Sequence, residues 1–284
     1  MTPAARHAIA EATGAAVTNA AALAGGCIGD VWRIDLVDGR RMVAKTAGAD
    51  GTLDIEGYML DYLARTQTVP VPAVAHAEPG LLVMEYVETS GRLDPAAQEH
   101  AAELLAALHG ITADAYGHER DTLIGGLRQP NPWTESWVNF FRDERLLYMG
   151  RLALEKGTLP RDTYGRLEKF CGAKLETYID QPDQPSLVHG DMWGGNVLVR
   201  DGRITAFIDP AIYHADAEVE LAFTTLFGTY GDPFFRRYNE HRPIGPGFFE
   251  VRRHIYNLYP LLVHSFFFGG QYPAQVDGIL RRFL

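Results

Sequence analysis

LVHGDMWGGNVLVRDGRITAFIDP, residues Leu187 to Pro210, sets three carboxylates, an amide, a histidine and a tryptophan among apolar strand-like runs. Asp201-Gly202 is a two-residue hairpin signal between two of those runs. If it closes the hairpin, Arg200 faces Arg203, Leu198 faces Thr205 and Asn196 faces Phe207. Asp209 then lies two residues beyond the partner of Asn196. At about 3.3 Å per residue and about 4.8 Å between strands, both side chains reach one point. An amide oxygen and a carboxylate are hard donors that suit Mg²⁺. Gly194-Gly195 lets the backbone turn tightly and brings Asp191 to the same rim.

His189, Asp191 and Asn196 form the spacing H-x-D-x-x-x-x-N, and Asp209 follows 13 residues after the Asn. This is the layout of a phosphoryl-transfer site, with Pro-Ala after the last Asp in place of the usual Phe-Gly. A triphosphate needs cations to offset its charge, hence two metal-binding oxygens, Asn196 and Asp209. An attacking hydroxyl needs a carboxylate to orient it, hence Asp191. An ordinary Asp is ionised at pH 7 and accepts that proton without a shifted pKa.

Upstream, DVWRIDLVDGRRMVAKT carries Asp38-Gly39 between alternating runs. A two-residue turn there pairs Val37 with Arg40, Ile34 with Val43 and Trp32 with Lys45. Lys45 then shares an apolar face with Trp32, Ile34 and Val43 and needs a partner, since an unpaired buried charge is costly. Two partners are in reach: a phosphate, and Glu56 on the following helix. A surface lysine with its head in water is the alternative. Gly25, Gly26 and Gly29, with Cys27 and Ile28, make a turn whose backbone N–H groups can meet phosphate. The run LLVMEYVE reads as the last strand of this unit. Main-chain groups of Glu85 and Val87, backed by Met84, are candidates to pair with adenine.

The chain has 284 residues, with 26 Lys and Arg against 36 Asp and Glu, a net charge of −10. That balance argues against sequence-independent nucleic-acid binding, which needs a basic footprint. It leaves room for an anionic small ligand in a cleft with its own lysine and metal ion. Two cysteines, Cys27 and Cys171, do not make a disulfide scaffold, so a reducing compartment is expected. No signal-peptide pattern and no apolar run of about 18 residues is present, which places the protein in the cytoplasm and off the membrane.

A short amphipathic helix from Thr2-Pro3 to about Thr13 opens the chain, and strand patterns with one helix, from about Thr52 to Thr66, follow. Helical patterns dominate later: Asp94–Gly110, Trp133–Lys156, Arg161–Asp180, Ala217–Phe227, Gly247–Phe268 and Pro273–Phe283. The fold class expected is α+β, a bilobal protein-kinase-like fold. Residues 1–88 form a small antiparallel sheet lobe with one helix that binds nucleotide. Residues 89–284 form a larger, mainly helical lobe for catalysis and acceptor, with a cleft between.

These residues resemble the fructosamine (ketosamine) kinase family, within the aminoglycoside-phosphotransferase-like kinases. The resemblance covers nearly the whole chain and rests on LVHGDMWGGNVLV…FIDPA, GGCIGDVWRI, VAK, LLVMEYV, LAALHG and YPLLVHSFFFGGQY. It implies ATP-dependent phosphorylation of the 3-hydroxyl of ketosamines and so a deglycation. By position it implies Asp191 as base, Asn196 and Asp209 as Mg²⁺ ligands, and Lys45 with Glu56 on the ATP phosphates. It also implies Trp193 stacked on the sugar, which offers an apolar C–H face, with His189 and His264 toward the acceptor. Glu220 stands where the family usually has Asp, in a segment expected near the acceptor. A monomer is expected, with oxidation of Cys27 giving a redox-dependent dimer or blocking ATP as an alternative. Two other readings stay open: an aminoglycoside or other small-molecule phosphotransferase, using the acids of HADAEVE, and a nucleotide-binding pseudokinase.

Overall fold

The computed structural model describes residues 1–23 and 30–284. The expected glycine turn, with Gly26, Cys27, Ile28 and Gly29, lies outside the described residues. Helix α1 (Pro3–Thr13) starts where the Thr2 hydroxyl accepts from the Ala5 N–H and stops at Gly14, φ 70°. Strands β1 (Val17–Ala22), β2 (Asp30–Leu36), β3 (Arg41–Thr46), β4 (Val74–Glu78) and β5 (Leu81–Glu85) form one antiparallel sheet, ordered β1-β2-β3-β5-β4. Helix α2 (Leu53–Thr66) crosses between β3 and β4.

The β2–β3 turn differs from the expectation. Leu36 pairs with Arg40, and Val37-Asp38-Gly39 is a three-residue loop closed by Gly39 at φ 87°. The extra residue slips the register by one, so Lys45 faces Val31, and Trp32 faces Ala44. A one-residue slip reverses faces. Trp32 and Ile34 therefore pack with α1 on one side of the sheet. Val43, Leu82 and Met84 pack on the other side with Leu53 and Leu60 of α2, and Lys45 shares that face.

The rest is mainly helical: α3 (Pro95–Leu108), α4 (Trp137–Phe140), α5 (Tyr148–Glu155), α6 (Arg161–Ala173), α7 (Glu218–Leu226), α8 (Asp232–His241), α9 (Arg253–Tyr256), α10 (Leu258–Phe268) and α11 (Tyr272–Phe283). Helix α3 begins on an Asp94 cap and packs along α8, which the sequence patterns did not announce. Three short ribbons are set among the helices: β6 (Thr122–Ile124) with β7 (Leu127–Gln129), β8 (Ser186–Val188) with β11 (Tyr213–Ala215), and β9 (Val197–Arg200) with β10 (Arg203–Phe207). Helix α2 takes part in both halves. Leu53 and Leu60 pack under the sheet, while Met59 and Leu63 belong to the large core of the helical part. Among the described residues, no helix is long and apolar enough to cross a membrane.

Candidate active site

Asp201 and Gly202 both take positive φ, 51° and 68°, so the second turn is the two-residue hairpin that the sequence predicts. A bulge at Thr205 shifts the far end, setting Leu198 opposite Ala206 and Val197 opposite Phe207. The Ile208 N–H then donates to the Asn196 carbonyl at 3.0 Å, and Asp209 is the next residue rather than one further away. Asp209 itself sits at φ 52°, a left-handed conformation that Asp tolerates better than most residues.

The Lys45 ammonium donates to Glu56 Oε1 at 2.7 Å and to Asp209 Oδ1 at 2.5 Å. The lysine is buried, so burial opposes its charge, yet the two carboxylates hold it above the ordinary lysine range. The slipped register leaves this pairing intact, because Lys45 still faces α2. Met84 lies on that same face of the sheet. The Glu85 N–H donates to Ala73 O at 2.8 Å. Val87 lies two residues past the strand end.

Asp191 and Asn196 form one unit. The Asn196 amide donates to the Asp191 carbonyl at 2.8 Å and to Asp191 Oδ2 at 2.9 Å, which leaves the amide oxygen as its available donor to a cation. Burial pushes the Asp191 carboxyl up to about 7, with Asn196 opposing and Asp209 adding to the rise. The expectation of an unshifted Asp is therefore corrected.

Three groups beneath the loop hold it in place. His109 lies against Glu220 at 2.9 Å, while Glu220 accepts from the Gly190 N–H at 2.7 Å and the His189 N–H at 3.2 Å. Burial would raise Glu220, but the bonds from His109 keep it below the ordinary carboxylate range. Glu220 thus anchors the loop backbone and also lines the pocket beside Asp191. Sequence reasoning missed that role, although His109 of LAALHG and Glu220, set between Val219 and Leu221 in AEVELAF, were its signals. His189 is also corrected: it is fully buried, its Nδ1 accepts from the Asp191 N–H at 3.3 Å, and its ring meets Phe207 rather than the acceptor.

A small pocket opens beside Asp191 and Gly190, walled by Ile124, Phe223, Tyr259 and His264. Ile124 arrives on the β6–β7 ribbon, whose Gly125-Gly126 turn the sequence offered and the pattern reading passed over. His264 Nδ1 donates to the Pro260 carbonyl at 2.8 Å, since that oxygen only accepts. Trp193 is 43% exposed, with its ring 6.4 Å from that of Phe227. The indole lies over Gly195, where a Cβ would come within 2.3 Å of it. Gly195→Ala is expected to push the indole aside, raising KM for the acceptor about tenfold with little change in Tm. Steady-state kinetics and a thermal melt check this; an unchanged KM contradicts it.

The folded sheet, the α2 glutamate on a sheet lysine and the loop of Asp191 and Asn196 define a protein-kinase-like phosphotransferase. The family model described as fructosamine kinase matches residues 1–284. A protein of Synechocystis sp. described as a probable ketoamine kinase is 35% identical over 273 residues, 92% of this chain and 89% of its own. The solved structure of a Thermobifida fusca protein assigned as a fructosamine-3-kinase superposes with a TM-score of 0.86 at 33% identity, covering 97% of this chain and 96% of that one. An aminoglycoside phosphotransferase solved with ADP and hygromycin B shares the fold, with a TM-score of 0.68 at 17% identity over 97% of each chain. The chain belongs to the fructosamine kinase family and is a kinase.

Proposed function

We propose that this kinase transfers the γ-phosphate of ATP to the 3-hydroxyl of a ketosamine. The observation that carries the reading is the meeting of Lys45, Glu56 and Asp209 within 2.7 Å, beside an Asp191 that opens on the acceptor pocket. Residues 1–88 would hold nucleotide, with Lys45 on its phosphates and Val87 at the base. Residues 89–284 would hold the acceptor, with Trp193 and His264 on the sugar. Glu56, Asp209 and Asp191 outnumber the single ammonium, so a tetra-anionic nucleotide needs a divalent cation to enter. The donor set fits one: Asn196 and Asp209 would hold Mg²⁺, which would neutralise charge on the phosphates.

Asp191 takes the proton of the 3-hydroxyl as the new O–P bond forms and the bond from Pγ to the ADP oxygen breaks. The product carries phosphate next to the C2 ketone. Enolisation toward C1 makes that phosphate allylic, so it leaves as inorganic phosphate and the remaining imine hydrolyses, freeing the amine. That sequence is a deglycation in the cytoplasm.

The aminoglycoside reading needs free acids for a polycation. Here Asp216 accepts from the Tyr256 hydroxyl at 2.5 Å, Glu218 is held by Arg252 at 2.5 Å and 2.7 Å, and Glu220 is held by His109. A panel of fructosyl-lysine, ribulosyl-lysine and kanamycin with ATP and Mg²⁺ tests the proposal. ADP release with the ketosamines supports it. Release with kanamycin alone, or with no acceptor, overturns it.

A further inference from the structure

The acceptor pocket does not end at His264; a run of aromatic rings leads outward from it. Phe227 lies 4.9 Å from the His264 ring, Phe268 5.6 Å and Tyr272 5.0 Å, and Phe268 and Tyr272 are 6.3 Å apart. Phe227 is 40% exposed and Phe268 60% exposed, so this apolar surface faces water instead of a core. Three helices build it: α7 ends one residue before Phe227, α10 ends at Phe268, and α11 begins at Tyr272. Gly269 and Gly270, at φ 60° and 56°, fold the chain back so that Tyr272 returns beside His264.

We propose that Phe227, Phe268 and Tyr272 form a shelf that binds the carbon skeleton of the amine partner of the ketosamine. The inference rests on the acceptor reading above and extends it. On that reading the reacting hydroxyl sits at Asp191 and the sugar lies toward His264, both of which line the pocket. The amine nitrogen is three bonds from C3, so whatever it carries must leave through the mouth. The surface it meets there is continuous with the pocket through His264, which lines the one and touches the other. None of the three side chains is charged, so the matching part of the substrate is aliphatic or aromatic. The four methylenes of a glycated lysine side chain have that character, as does a benzyl group. Covering exposed rings with such a chain gains hydrophobic free energy in proportion to area.

The test is kcat/KM for 1-amino-1-deoxyfructose bearing N-methyl, N-butyl, N-hexyl and N-benzyl groups. In the wild-type enzyme the N-hexyl to N-methyl ratio is expected to be about tenfold or more. In Phe268→Ser the ratio is expected to fall below about threefold, with Tm close to wild type because the ring is largely exposed. A flat wild-type series overturns the proposal, as does a Phe268→Ser variant that slows every substrate by the same factor. Calorimetric binding of the same series to Asp191→Asn separates the shelf from the chemistry. If no compound is phosphorylated but affinity still rises with chain length, the shelf stands and the acceptor reading falls. If size-exclusion chromatography shows that Phe268→Ser only splits a dimer and leaves the ratio unchanged, the surface joins copies of the chain and the proposal is wrong.

Discussion

Asp191→Asn is expected to cut kcat by about 10²–10⁴-fold while nucleotide affinity stays within roughly threefold. The substitution keeps the shape of the side chain and removes its ability to take a proton. The Asn196 amide still finds an oxygen at position 191, so the loop keeps the bond that now runs from Asn196 to Asp191 Oδ2. Nucleotide is expected to answer to different groups, Lys45 with its two carboxylates. Single-turnover kinetics with calorimetric nucleotide binding separate the two effects. A kcat within about tenfold of wild type would remove Asp191 from the proton transfer.

Gly190→Ala is expected to be the most damaging change of a single methyl in the loop. Gly190 sits at φ 86°, which L-residues with a Cβ resist by roughly 1–2 kcal/mol. Its Cβ would also stand 2.0 Å from the Ala211 carbonyl oxygen, a backbone atom that accepts no rotamer change. That carbonyl belongs to the strip between Asp209 and β11, and the Ala211 N–H already donates to the His189 carbonyl at 2.7 Å. Relief requires the loop to leave Glu220. The expected result is a loss of about 3 kcal/mol or more, a fall in Tm of roughly 6–12 °C, and a drop in kcat of about a hundredfold. Gly194→Ala in the same loop is the control. A methyl added at Gly194 meets no atom within 4 Å, so that variant is expected to stay near wild type. Equal behaviour of the two variants would contradict the argument.

The chemistry was more legible in the chain than the exact ribbons that carry it. Asp191, Asn196 and Asp209 lie within one short stretch, and local rules alone brought them together. Lys45 with Glu56 followed from a buried lysine that needed a partner. The errors came where one residue decides the geometry. Gly39 closes a three-residue loop, while Gly202, after an Asp in the same dipeptide, closes a two-residue one, and nothing local separates them. The bulge at Thr205 was equally silent.

The other misses concern buried charges whose partners lie far away in sequence. Glu220 is buried because His109, 111 residues away, and two backbone N–H groups hold it. Arg145 is fully buried in a run read as one regular helix from Trp133 to Lys156. The chain there passes through a π-helical segment, Phe141–Leu147. The Arg145 guanidinium stacks 4.0 Å from the Tyr213 ring and donates to Asn131 and the Pro130 carbonyl. Partners that far apart in sequence, or made of ring faces, leave no periodic trace.

Phosphorus NMR with proton coupling, on the products formed from ATP, Mg²⁺ and fructosyl-lysine, tests the central claim most directly. The account predicts a phosphomonoester coupled to the C3 proton, which decays to inorganic phosphate as free lysine appears. A phosphoester on any other carbon, or ATP hydrolysis with no sugar ester at all, would contradict it.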